Sequence, residues 1–315
     1  MILNIKNIYY HIEMYEPFLE DLRWVETPSN VCRFIIQELK SIGVSVCATY
    51  FKRFVKEIAY NYNDLPFHNF RHVSHVTFMT LWILKHLKLL ISSNDFECFA
   101  LNMVVVSLGH DINHSGVINS RLLNRHVDNL SEIDFETQYI TSSTSDNENM
   151  HSCCLIKLLK TYGSKIMTNY DLNTNLIFIH NCILATDLQL HDSIMQYFSL
   201  INNKTSLKSM FQKNPVCLGM MIMKCADLGH FFCHPAVHVY WVCKLEEEMC
   251  NTSKEISTSD CESSIRGCKN MQKSYLQQLS ETTISFCNRY VRYLHSEICN
   301  LLHINSEQLK KTTAI

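Results

Sequence analysis

Apolar positions recur at three- and four-residue intervals along most of the chain, which is the pattern of amphipathic helices rather than of strands. The spacing predicts helices over Val31 to Lys40 and Val44 to Tyr60, separated by Gly43 and preceded by the helix-start signal Thr27-Pro28-Ser29-Asn30. Asn61 to Pro66 reads as a loop that delivers Phe67-His68-Asn69-Phe70-Arg71-His72 into a strongly apolar helical run ending near Leu90. Ser92 to Asp95 caps a further helix that runs through Met103 to Leu108 into Gly109-His110-Asp111-Ile112-Asn113-His114-Ser115-Gly116. Thr141 to Asn147 is a stretch of cap-forming residues, and Glu148-Asn149-Met150-His151 opens the next helix with Glu148 and His151 on one face. Helices are also expected over Leu176 to Leu190, over the nearly continuous apolar run Val216 to Cys225 that ends at Asp227, and from Pro235 through Met249. Asn251 to Gly267 is polar and Ser-rich, expected to be a mobile loop, and Lys269 to Leu302 returns to helical spacing. Neither a repeat nor a dividing linker is visible. The expected architecture is all-α, a compact multi-helix single domain over residues 31–305, with a lead-in over 1–30 and a tail over 306–315.

Composition narrows the class. The seven glycines and five prolines in 315 residues are too few for the many tight turns of an all-β fold. A formal net charge of −2 without a basic stripe speaks against a nucleic-acid partner. The fifteen cysteines are irregularly spaced in a long chain that opens without a signal-peptide pattern, so reduced thiols and a cytoplasmic location are expected. Val76 to Ile91 is interrupted by Lys85, His86 and Lys88, and Phe99 to Leu108 is too short to cross a bilayer, so no membrane span is expected.

Candidate chemistry gathers at His110-Asp111-Ile112-Asn113-His114. An imidazole beside a carboxylate, with a second imidazole four positions on, suits a divalent cation that takes nitrogen and oxygen ligands. Were the segment helical, His110 and His114 would share a face one turn apart; the same side chains could also serve as hydrogen-bonded core residues. His-x-x-x-His pairs recur at His68/His72, His230/His234 and His234/His238, but Pro235 at a helix start leaves His230 outside that helix. Asp227, at the end of a buried helix, costs several kcal/mol unless a cation or a hydrogen-bond network compensates it, which makes it a ligand candidate.

Taken in order, Phe67-His-Asn-Phe-Arg-His72, His110-Asp-Ile-Asn-His114, Glu148-Asn-Met-His151, Leu184-Ala-Thr-Asp187, Lys224-Cys-Ala-Asp-Leu228, Pro235, Trp241, Glu247-Glu248 and Gln272-Lys-Ser-Tyr275 resemble the catalytic domain of class I cyclic nucleotide phosphodiesterases, over roughly residues 30–305. The resemblance implies a two-metal site, with His72, His110, Asp111 and Asp227 holding a tightly bound zinc. Asp111 would also bridge to a second site taken by magnesium or manganese. It further implies in-line attack by a hydroxide held between the cations, with His68 as the general acid that protonates the ribose 3′ oxygen. His114, Glu148 and His151 would orient ligands and water. On the purine side, the resemblance assigns Gln272 to the base edge, with Gln277 or Gln278 as alternatives, and Tyr275 and Leu245 to the two faces of a clamp. Phe67 in place of the more usual tyrosine, together with the Trp241 to Glu248 stretch, is similar to the high-affinity cGMP-specific subfamily. His230 replaces an asparagine near the base, and Met150 replaces the first of two histidines after Glu148-Asn149. The expected activity is therefore opening of cGMP, or of cGMP and cAMP, to the 5′-monophosphate by a soluble small-molecule hydrolase, with a homodimer as a possible assembly. The alternatives are another metal-dependent phosphohydrolase of the His-Asp superfamily, or a non-catalytic nucleotide-binding protein on the same fold. Only about thirty residues precede the match, so a regulatory module ahead of it is not expected.

Overall fold

Eleven α-helices carry the computed structural model, which describes residues 27–91, 95–119, 145–166, 172–202, 206–233, 235–254 and 283–303; no strand occurs among them. They are α1 (Pro28–Ser41), α2 (Ala48–Tyr60), α3 (Phe70–Leu90), α4 (Phe96–Gly109), α5 (Asp146–Ile166), α6 (Leu172–Leu184), α7 (His191–Asn202), α8 (Leu207–Lys213), α9 (Pro215–Asp227), α10 (Pro235–Lys254) and α11 (Arg292–Leu301). Short 3-10 turns at Leu188–Leu190 and Leu228–Phe232 and a π turn at Cys287–Val291 complete the described elements.

Two helices form the centre. Nearly every residue of α4 is buried, and so is α9 from Cys217 to Ala226 apart from the half-buried Met220, so both mostly apolar helices have to be surrounded by other helices. α3 packs on α4 and α9, α6 on α4, α5 and α9, and α11 on α9. The outer helices bury one stripe only. α2, for example, turns Phe51, Phe54, Val55 and Ile58 inward, and each such side chain contributes about 1.5–3 kcal/mol when fully removed from water. At the α6–α9 crossing the helices approach so closely that a Cβ on Gly219 would lie 2.7 Å from Phe178 Cζ.

The boundaries depart from the sequence reading in several places; α2 begins at Ala48 rather than at Val44, and α6 at Leu172 rather than at Leu176. The expected Leu176 to Leu190 helix stops at Leu184, because Asp187 turns back to accept the Gln189 N–H at 2.8 Å and Lys224 Nζ takes the Ala185 carbonyl at 2.7 Å. α4 ends at Gly109, and Asn113 adopts a left-handed φ of 63°, so His110 and His114 do not share a helical face. α10 continues to Lys254, which puts Asn251 to Lys254 in a helix rather than in the expected loop. Residues 255–267 of that loop lie outside the described residues, as do 1–26 and 304–315.

Candidate functional site

The C-terminal ends of α4 and α9 converge, and each helix presents the negative end of its dipole and its last carbonyls there, an environment that favours a cation. Asp111 follows α4, Asp227 closes α9, and His72 comes from the first turns of α3. Asn69 caps α3: its side-chain oxygen accepts the Arg71 and His72 N–H groups at 2.9 and 3.1 Å. Its amide donates back to the Leu65 and Pro66 carbonyls, fixing the loop that carries His68 relative to the helix that carries His72.

His72, His110, Asp111 and Asp227 bring one ligand atom each to within 4.8 Å of one another. His110 Nε2 lies 3.1 Å from Asp111 Oδ2 and 3.4 Å from Asp227 Oδ1, and His72 Nε2 lies 3.5 and 3.2 Å from the same two oxygens. Ligands about 2.1 Å from one ion stand roughly 3.0–3.4 Å apart, close to this spacing. His110 Nδ1 donates to the Ser107 carbonyl at 2.9 Å, which leaves the buried Nε2 to face the carboxylates as a proton donor without a cation, or to give its lone pair to one. Burial alone would raise the Asp111 and Asp227 carboxyls, but the facing imidazoles, His110 foremost, hold both well below the usual carboxylate range. The donors present therefore fit a divalent cation. The two Asp111 oxygens face different ways, Oδ2 toward His72 and His110 and Oδ1 toward His151 Nε2 at 3.9 Å, as a carboxylate shared between two sites requires.

Beside this cluster stands His68. Its Nδ1 is 2.5 Å from Glu248 Oε1, while Glu248 Oε2 accepts the Phe67 and His68 N–H groups at 2.9 and 3.0 Å. Burial disfavours the charged ring, but the Glu248 hydrogen bond and the charges of Asp111, Glu248 and Asp227 outweigh it, and the His68 pKa is raised. The partner carboxyl is pushed down to about 2 against its own burial.

His68 stacks on His114 at 3.9 Å and 15°, and His114 stacks in turn near His151 at 5.4 Å. His114 Nδ1 accepts the Gly116 N–H at 2.9 Å, so a neutral His114 carries its proton on Nε2. Burial lowers the His114 and His151 pKa values to about 3 and about 4. His68, His114 and Glu248 also lie close enough to suggest a ligand set. Parallel rings whose Nδ1 atoms are already engaged cannot direct in-plane lone pairs at one ion, so this group is a hydrogen-bonded stack.

Glu148 accepts from Asn119 at 2.7 Å, and burial raises its carboxyl to about 7. Asp187, from the turn after α6, accepts the Ser145 hydroxyl at 2.6 Å. Phe67 is buried, its ring 4.4 Å from His72 and 5.6 Å from Trp241, and Leu245 is half-buried one helical turn before Glu248. Gln272 and Tyr275 lie outside the described residues. His230 and His238, which sequence spacing separated, meet with their Nδ1 atoms 3.0 Å apart.

Two partners were not assigned a role from sequence. Glu248 lies two turns after Trp241 on the buried stripe of α10, and a carboxylate on such a stripe is a legible signal of a buried partner. Tyr62, in the loop before His68, offers no comparable sequence signal.

A family profile described as 3'5'-cyclic nucleotide phosphodiesterase matches residues 67–312. The chain is 33% identical over 204 residues, 61% of its length, to a cGMP-specific 3',5'-cyclic phosphodiesterase gamma of Plasmodium yoelii, of which this stretch covers 23%. It is 30% identical over 182 residues, 57% of its length, to a high affinity cGMP-specific 3',5'-cyclic phosphodiesterase 9A of Drosophila melanogaster, covering 11% of that protein. The chain thus spans less than a quarter of these relatives. The crystal structure of the phosphodiesterase domain of the RhoPDE fusion protein from the choanoflagellate Salpingoeca rosetta superposes with a TM-score of 0.68 at 19% identity, over 94% of this chain and 89% of that one.

Proposed function

Because the chain belongs to the 3',5'-cyclic nucleotide phosphodiesterase family, we propose that it hydrolyses a 3',5'-cyclic nucleotide, with cGMP preferred, to the 5′-monophosphate. The observation that carries the reading is the Glu248-backed His68 beside a cluster of two imidazoles and two carboxylates. The guanine preference draws support from the relatives described as cGMP-specific; a dual cAMP and cGMP phosphodiesterase beta of Plasmodium falciparum, 26% identical over 185 residues, 57% of this chain and 15% of that one, makes adenine the competitor to test.

His72, His110, Asp111 and Asp227 would hold zinc, and the outward oxygen of Asp111 would share in a second, oxygen-rich site suited to magnesium. Cations bound there would supply an activated water and neutralise charge on the phosphodiester. The remaining roles belong to the chain. His68 Nδ1 is committed to Glu248, so its transferable proton sits on Nε2, where it can pass to the departing ribose 3′ oxygen. Glu248 favours the protonated ring through its charge and its hydrogen bond, and its two backbone acceptances fix the ring's position. His114, neutral with an Nε2 proton, and Glu148, able to exchange a proton near neutral pH, would orient water. Phe67 wedges His72 in place, and Leu245, Gln272 and Tyr275 would grip the base.

The test is hydrolysis of cGMP and cAMP side by side, with magnesium and again after chelation, for wild type and His68→Ala. Chelator-sensitive turnover favouring cGMP and lost in the variant is the expected result. Equal kcat/KM on both nucleotides would discard the base preference, and no turnover by a folded, metal-loaded protein would discard the catalytic reading.

A further inference from the structure

The turn that presents Asp111 to the cation cluster is held from outside by three consecutive residues of the loop that leads to His68. Tyr62 is buried, and its hydroxyl donates to the Leu108 carbonyl at 3.0 Å while accepting the Asp111 N–H at 3.3 Å. Leu108 lies in the last turn of α4, whose carbonyls a helix leaves without internal partners, so a single hydroxyl bridges the helix end and the first peptide beyond it. On one side, the Asn61 carbonyl accepts the Asn113 N–H at 3.0 Å, at the residue whose φ of 63° redirects the chain. On the other, Asn63 Nδ2 donates to the His114 carbonyl at 2.7 Å.

We propose that Tyr62 is a positioning residue: with Asn61 and Asn63 it sets where the Asp111 carboxylate stands and ties the ligand turn to the loop carrying His68, so that the proton donor and the shared carboxylate form one frame. The inference rests on the reading of this cluster as the cation site of the hydrolase. Its physical basis is that the hydroxyl bonds both the Leu108 carbonyl and the N–H of Asp111 itself, the residue whose carboxylate faces both His72 and His110. Without the hydroxyl, the Leu108 carbonyl and the Asp111 N–H lose their shared partner, and any backbone shift that restores a bond to the Asp111 N–H moves its carboxylate.

The experiment is Zn2+ affinity of the full chain, read by competition with a chromophoric chelator, for wild type, Tyr62→Phe and Asn63→Ala, with the Tm of each metal-free protein. Outer contacts that orient a ligand typically contribute 10–100-fold in metal affinity. Tyr62→Phe is expected to weaken Zn2+ binding roughly 10–100-fold, Asn63→Ala to weaken it less, and excess metal to restore part of the kcat lost on cGMP. A merely structural role would lower the metal-free Tm and leave Zn2+ affinity as in wild type, and that result overturns the proposal. If Tyr62→Phe does not fold, unchanged affinity in Asn63→Ala overturns it instead. Wild type that binds Zn2+ but turns over no cyclic nucleotide defeats the functional reading and leaves the affinity comparison decisive, and wild type that takes up no Zn2+ overturns both.

Discussion

Glu248→Gln isolates the charge behind His68 with little change of shape. The glutamine oxygen is held by the Phe67 and His68 N–H groups, which bond the Glu248 Oε2 at 2.9 and 3.0 Å, so the new amide nitrogen has to face His68 Nδ1. An NH2 there donates to Nδ1 and stabilises the neutral ring, the opposite of what a general acid needs. The carboxyl's displacement from 4.5 to about 2 corresponds to about 3 kcal/mol of net stabilisation of the carboxylate, which the charged imidazole and the Phe67 and His68 N–H groups supply together against burial, at about 1.4 kcal/mol per unit. His68 is 22% exposed, which makes this an upper value. The expected loss is about 10²-fold in kcat, at the low end of what general acid catalysis contributes, with KM little changed. Because Glu248 raises the His68 pKa and the acid acts in its protonated form, the alkaline limb of the kcat profile should move to lower pH in the variant. On a phosphodiester with a 4-nitrophenolate leaving group, which departs without a proton, the deficit should shrink. The assay is kcat and KM against pH on both substrates. A variant within about threefold of wild type on the cyclic nucleotide, with the alkaline limb unmoved, would refute the reasoning.

In the metal-free protein the folded state raises the Glu148 carboxyl from 4.5 to about 7, so this group's contribution falls as pH rises across that interval and levels above it. Glu148→Gln should therefore match wild type near the lower limit and be about 2–3 kcal/mol more stable above the upper one by denaturant titration, and a pH-independent difference would contradict this. Gly219→Ala should destabilise by about 1–3 kcal/mol, because the added methyl meets both the rigid Phe178 ring and the Cys182 sulfur, and Phe178→Leu in the same chain should recover only part of it. A chelator should abolish turnover and lower Tm, and zinc at a thousandfold over its Kd should restore about 4 kcal/mol of stability. An unmoved Tm with full activity would remove the metal site.

Much of this was written in local pattern. The helices α1, α2, α3, α5 and α9 follow directly from apolar spacing, Thr27 and Asn69 are caps that bond as such residues should, and Asp227 declared itself as a carboxylate closing a buried helix. The break after Leu184 was not legible, because nothing in residues 176–190 says that Lys224, on another helix, will take the Ala185 carbonyl. Nor could spacing predict that His230 and His238 meet, since they leave different elements and are joined only by how the 228–232 turn folds onto α10.

The division follows the range of the forces. Helix periodicity, caps and an imidazole next to a carboxylate are set by residues within a turn or two of each other, so the chain by itself determined the all-helical class, the ordered motifs and the candidacy of His110, Asp111 and Asp227 as ligands. Which oxygen of Asp111 faces which ring, which nitrogen of His68 is free, and the partnership of His68 with Glu248, 180 residues away, depend on directional bonds between elements remote in sequence. Only packing α3, α4, α9 and α10 around one point brings those groups within hydrogen-bonding distance, and only there does His68 gain the carboxylate partner that the proposed acid role needs.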